Sequence, residues 1–404
     1  MKKIGLVTTW FERGAAYVSK QFKEVWEEEN QVYIYARGGE KVAKHDPNWQ
    51  YDKITYGKRF NYTKLDIIDL KHFENWIKTN DLDIVFFNEQ HLWKPVLLCK
   101  KLGVITGSYI DYYTEKTIDF FNIYDFLICN TKRHYSIFKD HPQCFYVPWG
   151  TDTKIYNEKQ QKKTQDNQVV FFHSAGMNPY RKGTDYVIKA FSKSNFKTSK
   201  LIIHTQIDLL LFFPELKQLI KKLIFSDKLE IINKTITAPG LYHTGDVYVY
   251  PSRLEGIGLS LVEALCCGMP AITTNEAPMN EFVNENINGK LINVRDQQPR
   301  KDGYYWKESY VDVDHLTEIM NSYSIYPETL HNKKQKTLEY SLKNFNWKEN
   351  SKILLSIVKN LKPNPANKDL LITIRSFEKS RGLKFYITNL VIYDKLKKLI
   401  KKFK

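Results

Sequence analysis

One stretch, Val247 to Phe282, constrains this chain more than any other: VYVYPSRLEGIGLSLVEALCCGMPAITTNEAPMNEF. It opens as a strand, because Val247 and Val249 are β-branched and alternate with tyrosines before Pro251 and Ser252. A turn follows at Gly256 and Gly258, where the backbone can bend sharply and come close to a ligand. Ser260 and the apolar Leu261, Val262, Ala264 and Leu265 then predict a short buried helix, which Gly268 stops and Pro270 seals. Ala271 to Thr274 is the next strand. A strand, a glycine turn, a helix and a strand form one repeat of a parallel α/β sheet. The helix N-terminus then lies at the carboxyl edge of the sheet, where such sheets bind ligands and where free N–H groups attract phosphate.

Two carboxylates frame the turn: Glu255 lies just before it, and Glu263 follows on the helix. A polar group buried without a partner costs roughly 2–7 kcal/mol, and a charge more. Spacing alone leaves two readings open, a ligand site or a loop-capping Glu263 beside a solvated Glu255. The whole string resembles the nucleotide-sugar site of the retaining glycosyltransferases of family 4 (glycosyltransferase group 1), where two glutamates separated by seven residues bracket a Gly-x-Gly-type turn. The resemblance implies that Glu255 contacts the donor sugar and that Glu263 binds the ribose hydroxyls. It also places the amides of Gly256, Ile257 and Gly258, with Leu259 after them, against sugar and phosphate.

At 404 residues the chain has room for two domains, and a hydrophobic fraction of 42% supplies a core for each. No apolar run approaches the roughly eighteen residues of a membrane helix. The start, MKKIGLVTTWF, lacks a small-residue cleavage site and reads as a first strand rather than a signal peptide. Cys99, Cys129, Cys144, Cys266 and Cys267 have no metal-ligand spacing and fit a reducing cytoplasm. A net charge of +16 points to an anionic partner: nucleic acid, an anionic membrane surface or a phosphorylated substrate. Lysine far exceeds arginine, and no helix-turn-helix, zinc-finger or RNP-type motif appears, which argues against nucleic acid.

Along the first half, Lys3 to Thr8 predicts a strand, then a loop with Glu12, Arg13 and Gly14, then a helix over Tyr17 to Glu28. Gly14 is either a simple helix-entry turn or, by the resemblance, part of a glycine loop between donor phosphates and acceptor. Strands follow at Gln31–Tyr35, Asp83–Phe87, Val104–Thr106, Tyr124–Cys129 and Cys144–Val147, with helices over Leu65–Asn80, Trp93–Leu102 and Lys132–Phe138 and a polar stretch from Arg37 to about Lys64. About six β/α repeats make one Rossmann-like domain. Many family members carry a histidine after the fourth strand of this domain. None follows Val104–Thr106 here, and Asp111 in YIDYYTE is the candidate for holding sugar or acceptor, or for holding its own loop together.

Pro148 to Asp152 leaves the sheet, and the polar stretch Asn157 to Asn167 reads as a linker. Val169 to Phe172 opens the second domain and runs into a glycine-flanked loop with Arg181, Lys182 and Gly183, suited to polyphosphate. By resemblance, Lys182 binds the donor diphosphate. The arginine that the family places about six residues earlier is replaced here by Met177 and Asn178, with Arg181 as a substitute. Lys200–His204 and Leu229–Asn233 predict strands, Leu209–Ile224 a helix, and Lys234 lies where relatives hold the base. Asn293 to Tyr310 reads as an exposed insertion, and helices are expected over Val313–Tyr323, His331–Phe345 and Trp347–Leu361. The lysine-rich segment Phe385 to Lys404, ending in an amphipathic helix from Lys395, is either solvated or attached to an anionic bilayer.

The implied architecture is α/β of the GT-B type, two Rossmann-like domains facing across a cleft with C-terminal helices crossing back to the first. The expected divisions are residues 1–155 on the acceptor side, a linker at 156–168, a nucleotide-sugar domain at 169–335, crossing-back helices at 336–361 and a basic tail at 362–404. The implied activity is transfer of a sugar from a nucleoside diphosphate sugar, UDP- or GDP-linked, to a glycan, lipid-linked or protein acceptor, with retention at the anomeric carbon and without metal. The implied catalytic set is Lys182, Arg181, Glu255 and Asp111. The implied place is the cytoplasm, with a peripheral hold on the membrane. Two other readings fit the same motifs: a catalytically silent nucleotide-sugar-binding subunit, and a GT-B sugar-nucleotide epimerase.

Overall fold

The computed structural model describes the chain except residues 38–40, 59, 61–66, 163–167, 195–198, 366, 382–386, 388–389, 391 and 393–404. The expected helix from Lys395 to Lys404 therefore lies outside the described residues, as do the first positions of the helix expected from Leu65. The chain divides into two compact units. One takes Met1–Asn130, His134–Val147 and the chain from Lys352 onward; the other takes Thr131–Arg133 and Pro148–Ser351.

The first unit is built on a seven-stranded parallel sheet of order β3-β2-β1-β4-β5-β6-β7. Its strands are β1 (Lys3–Thr8), β2 (Gln31–Ala36), β3 (Ile54–Tyr56), β4 (Ile84–Phe87), β5 (Ile105–Tyr109), β6 (Phe126–Cys129) and β7 (Cys144–Tyr146). The helices along this part of the chain are α1 (Gly14–Trp26), α2 (Leu70–Asn80), α3 (Lys94–Leu102) and α4 (Lys132–Phe138). β1 and β4 are buried almost throughout, as strands covered on both faces must be. β3 falls inside the polar stretch that sequence reading left without structure. With three half-buried residues on the sheet edge, it carries too little apolar signal to be seen. α2 begins at Leu70 because Asp69 caps it, its carboxylate accepting from the His72 amide (3.0 Å).

The second unit holds a six-stranded parallel sheet of order β10-β9-β8-β11-β12-β13. Its strands are β8 (Val170–Gly176), β9 (Lys200–Thr205), β10 (Leu229–Asn233), β11 (Val247–Tyr250), β12 (Ala271–Thr274) and β13 (Gly289–Ile292). Strand order reverses between β8 and β11, so the exits of these two neighbours form the switch point of the sheet. The helices are α5 (Thr184–Lys193), α6 (Leu209–Phe212), α7 (Lys217–Phe225), α8 (Leu259–Cys266), α9 (Val313–Ile325), α10 (Leu330–Asn344) and α11 (Trp347–Asn350). The single helix expected over Leu209–Ile224 is divided, because Pro214 lacks an N–H and keeps Phe213 out of helical backbone (φ −119°, ψ 72°). The insertion after β13 is an antiparallel hairpin of β14 (Val294–Gln298) and β15 (Glu308–Val311). The helix expected over Trp347–Leu361 breaks at Ser351 and Lys352, where the chain returns to the first unit as α12 (Ile353–Asn360) and then α13 (Lys368–Ser380).

One buried charge ties the second unit together. Asp246, fully buried before β11, accepts from Lys334 of α10 (2.6 Å), from Lys162 (2.8 Å) and from the Val170 amide (2.9 Å). Replacing it strands the buried Lys334 ammonium, a loss of about 3–5 kcal/mol. Urea unfolding of Asp246→Ala should show a deficit of that size, and a loss below about 1 kcal/mol would contradict the role.

Candidate functional site

Two loops meet at the β8/β11 switch point. The first leaves β8 through Met177–Gly183 into α5, and the second leaves β11 through Pro251–Gly258 into α8. They touch directly at Gly183, whose φ of +71° only glycine adopts freely, and a Cβ there would sit 2.1 Å from the Pro251 carbonyl oxygen. Gly258 (φ +99°) makes the corresponding turn into α8.

Glu255 is buried where the loops meet. One carboxylate oxygen takes Arg181 Nη1 at 2.5 Å, and the other takes Lys182 Nζ at 2.8 Å and the Ser252 hydroxyl at 2.6 Å. Burial opposes its charge, but Arg181 and Lys182 beside it hold the carboxyl well below the usual range. Burial pushes the Lys182 ammonium down to about 8 against the pull of Glu255, whereas the Glu255 charge raises Arg181 further. Lys182 also donates to the Tyr250 hydroxyl at 2.6 Å and lies 4.7 Å from the Tyr250 ring centre. The trio carries one net positive charge. Two cations are held in place by one carboxylate, and the surplus positive charge suits an anionic group.

Glu263 lies on α8, where it accepts from the Tyr242 hydroxyl at 2.5 Å, and burial raises its carboxyl. Gly256 is half-buried with open space where a Cβ would be, and Ile257 is buried. Leu259 opens α8. The structure thus gathers Arg181, Lys182, Glu255, the Gly256–Gly258 turn, Leu259 and Glu263 around the switch point of one sheet. Lys234 stands apart: it is exposed beyond the edge strand β10, with its backbone amide on the Thr205 carbonyl (3.0 Å).

Gly14 and Asp111 belong to the first unit. Gly14 is the first residue of α1, at the exit of β1. β1 and β4 flank that sheet's own reversal of order, and the β4 exit carries Glu89 in left-handed backbone (φ +52°). The Glu89 carboxylate pairs with Arg13 at 3.0 Å, and its carbonyl accepts from the buried Arg37. Asp111, half-buried after β5, is pushed up to about 7, first by burial and then by the Glu89 charge.

Sequence reading missed several parts of the second unit's site. Ser252, Tyr242 and Tyr250 are ordinary strand and loop residues in sequence and gain a role only through packing. His173 is a buried strut, its ring nitrogens on the Val249 carbonyl (2.7 Å) and the Thr184 hydroxyl (2.8 Å), and burial lowers it to about 4. Among the described residues, no group of three or more His, Cys, Asp or Glu is placed to hold a metal ion, and no helix is long and apolar enough to cross a membrane.

Comparison with known proteins bears on the second unit and on the fold. Residues 154–302 match the family described as glycosyl transferases group 1, so the second unit contains a domain of that kind. The chain is 32% identical over 74 residues to the lipopolysaccharide core biosynthesis mannosyltransferase LpsB of Rhizobium meliloti, covering 18% of this chain and 21% of that protein. It is 26% identical over 145 residues to N-acetyl-alpha-D-glucosaminyl L-malate synthase of Bacillus anthracis, covering 34% and 35%. The matched stretch is thus well under half the length of either relative. The structure resembles Anabaena HepE in complex with UDP and glucose (TM-score 0.67, 14% identity, 89% of this chain and 100% of that one). It also resembles a glycosyltransferase from Rickettsia africae (TM-score 0.70, 16% identity, 89% and 99%). At these identities the likeness is one of fold, and the fold is GT-B: two Rossmann-like α/β units with parallel sheets.

The lowered Lys182 gives the site a pH signature. The ammonium is fully present well below pH 8 and is lost above it, so affinity for a bound polyphosphate falls as pH rises. Calorimetric titration with UDP, GDP or ADP should give a dissociation constant that is flat below about pH 7.5. Above pH 8 it should rise toward a limit of about tenfold per pH unit. A constant value from pH 7 to 9.5 would contradict the assignment.

Proposed function

We propose that the chain is a glycosyltransferase of the retaining, family-4 type, taking a sugar from a UDP- or GDP-linked donor to a glycan, lipid-linked or protein acceptor. The observation that carries the reading is the convergence of Arg181 and Lys182 on Glu255 at the switch point, inside the domain that matches glycosyl transferases group 1. HepE, of the same fold, is described in complex with UDP and glucose, which supports a nucleotide-sugar donor.

The chemistry follows from charge. As the bond between the anomeric carbon and the diphosphate oxygen breaks, negative charge grows on the leaving diphosphate. Two preorganised cations stabilise that charge more than they stabilise the bound donor, and this difference is what accelerates transfer. Lys182 and Arg181 take this role, with the backbone amides of Gly256 to Gly258 beside them, and no metal is required. Glu263, fixed by Tyr242, accepts from ribose hydroxyls. Glu255 aligns the cations and contacts the donor sugar. In the first unit, Asp111 holds the sugar or the acceptor. Its raised proton affinity suits it to share a proton with a hydroxyl near neutral pH.

Donor turnover tests the reading. Lys182→Ala should lower kcat by about 10²–10³-fold, the loss typical of one preorganised donor to a developing anion. Glu263→Ala should raise the donor KM by about tenfold to a hundredfold, the value of hydrogen bonds to a charged group. Normal activity in both variants would overturn the site. Donor binding by the wild-type chain without turnover would favour a silent nucleotide-sugar-binding subunit.

A further inference from the structure

Arg253 is a buried cation beside this site that sequence reading passed over, and its side chain hydrogen-bonds Asp185 and the Tyr180 carbonyl rather than the Glu255 carboxylate. Its side chain is buried, forking onto Asp185 of α5 through two hydrogen bonds (2.9 and 2.8 Å) and donating to the Tyr180 carbonyl. Its guanidinium carbon lies 3.9 Å from the Tyr180 ring centre, 4.0 Å from that of Tyr186 and 5.5 Å from that of Tyr310. Its own amide donates to the Arg181 carbonyl at 2.7 Å, and its carbonyl accepts from Ser309 of β15 at 2.8 Å. The Tyr180 and Tyr310 hydroxyls meet at 3.1 Å. One residue of the β11 exit thus grips both neighbours of the site: the Tyr180–Lys182 loop on one side and the β14–β15 hairpin on the other.

A buried guanidinium needs its charge met and its planar donors filled, and Asp185 with the tyrosine faces does both. The grip has a geometric consequence. Arg181 and Lys182 can both reach Glu255 only while the loop from β8 stays against the strand exit from β11. The Gly183 contact, the Ser252 hydroxyl on the Arg181 carbonyl (3.0 Å) and Arg181 Nη1 on the Leu254 carbonyl (2.9 Å) also join these segments, and Arg253 adds the buried ionic tie through Asp185. We propose that Arg253 is a positioning residue for glycosyl transfer: through Asp185 and the Tyr180 carbonyl it holds Arg181 and Lys182 on Glu255, aimed at the donor diphosphate. This rests on the assignment of Arg181 and Lys182 to the donor site.

The test uses the full chain, with Arg253→Lys, which keeps the charge but loses the fork, and Asp185→Asn, which keeps the shape but loses the countercharge. Lys182→Ala serves as control. Turnover is measured per folded molecule, with folding followed by circular dichroism, against the UDP- or GDP-sugar that the wild type uses. Arg253→Lys should lower kcat at saturating donor by at least about tenfold, and Asp185→Asn should lower it less. In both, the alkaline limb of kcat/KM should move up. A loosened loop admits water to Lys182, which faces Glu255, Arg181, Tyr250 and Glu263, and returns it toward an ordinary lysine. A purely structural residue would change the folded fraction or the melting temperature and leave that limb where it was.

If Arg253→Lys does not fold, Asp185→Asn carries the test through the same limb. Wild-type kcat and an unmoved limb in the folded variants would overturn the proposal while the donor site stands. Full turnover in Lys182→Ala would remove the donor site itself, and with it the cations that Arg253 is said to place.

Discussion

The second unit's chemistry depends on one ion triad. A carboxylate as buried as Glu255 cannot stay ionised alone, and two adjacent cations such as Arg181 and Lys182 repel each other. The two cations keep Glu255 ionised, and its charge in turn offsets their mutual repulsion. Glu255 is held well below the usual carboxylate range while Lys182, the more deeply desolvated cation, falls to about 8. The arrangement leaves one unit of positive charge over, fixed in direction before any ligand arrives. Because nothing need reorganise when charge develops on a bound diphosphate, the triad suits transition-state stabilisation better than a mobile surface lysine would.

The fold supplies the position. Parallel strands β8 and β11 are neighbours in the sheet although α5, β9 and β10 lie between them in sequence, so their exits converge where strand order reverses. Glycine at 183 and 258 lets both loops turn tightly, and Arg253 binds one loop to the other. The first unit repeats the logic with different groups: β1 and β4 flank its reversal, and Arg13, Glu89 and Asp111 gather at its carboxyl edge.

Much of this was legible in the sequence, and for a physical reason. The stretch from Val247 to Phe282 is almost wholly buried or tightly turned, so nearly every residue in it is dictated by backbone geometry or packing, and its strand, turn, helix and strand fall where the pattern puts them. Arg181 and Lys182 could be named because they lie in a glycine-flanked loop after a buried strand and because Lys182-Gly183 resembles the family's Lys-Gly pair. Their partner could not be chosen from spacing, since Glu255 lies more than seventy positions away along the chain. Tyr242, Tyr250 and Arg253 were invisible for the same reason. Edge and surface elements were read least well: β3 has no buried residue to announce it, the β14–β15 hairpin is polar along most of β14, and Pro214 overrode an otherwise helical pattern.

The most direct test of the central claim, that the Glu255 triad is a metal-free site for the diphosphate of a nucleotide sugar, is thermal stabilisation by a panel of UDP-, GDP-, ADP- and CMP-sugars with and without EDTA, for the wild type and for Glu255→Gln. The wild type should show a rise in melting temperature with one nucleoside diphosphate class, unchanged by EDTA and reduced in the variant. No shift with any donor, a shift abolished by EDTA, or an undiminished shift in Glu255→Gln would contradict it.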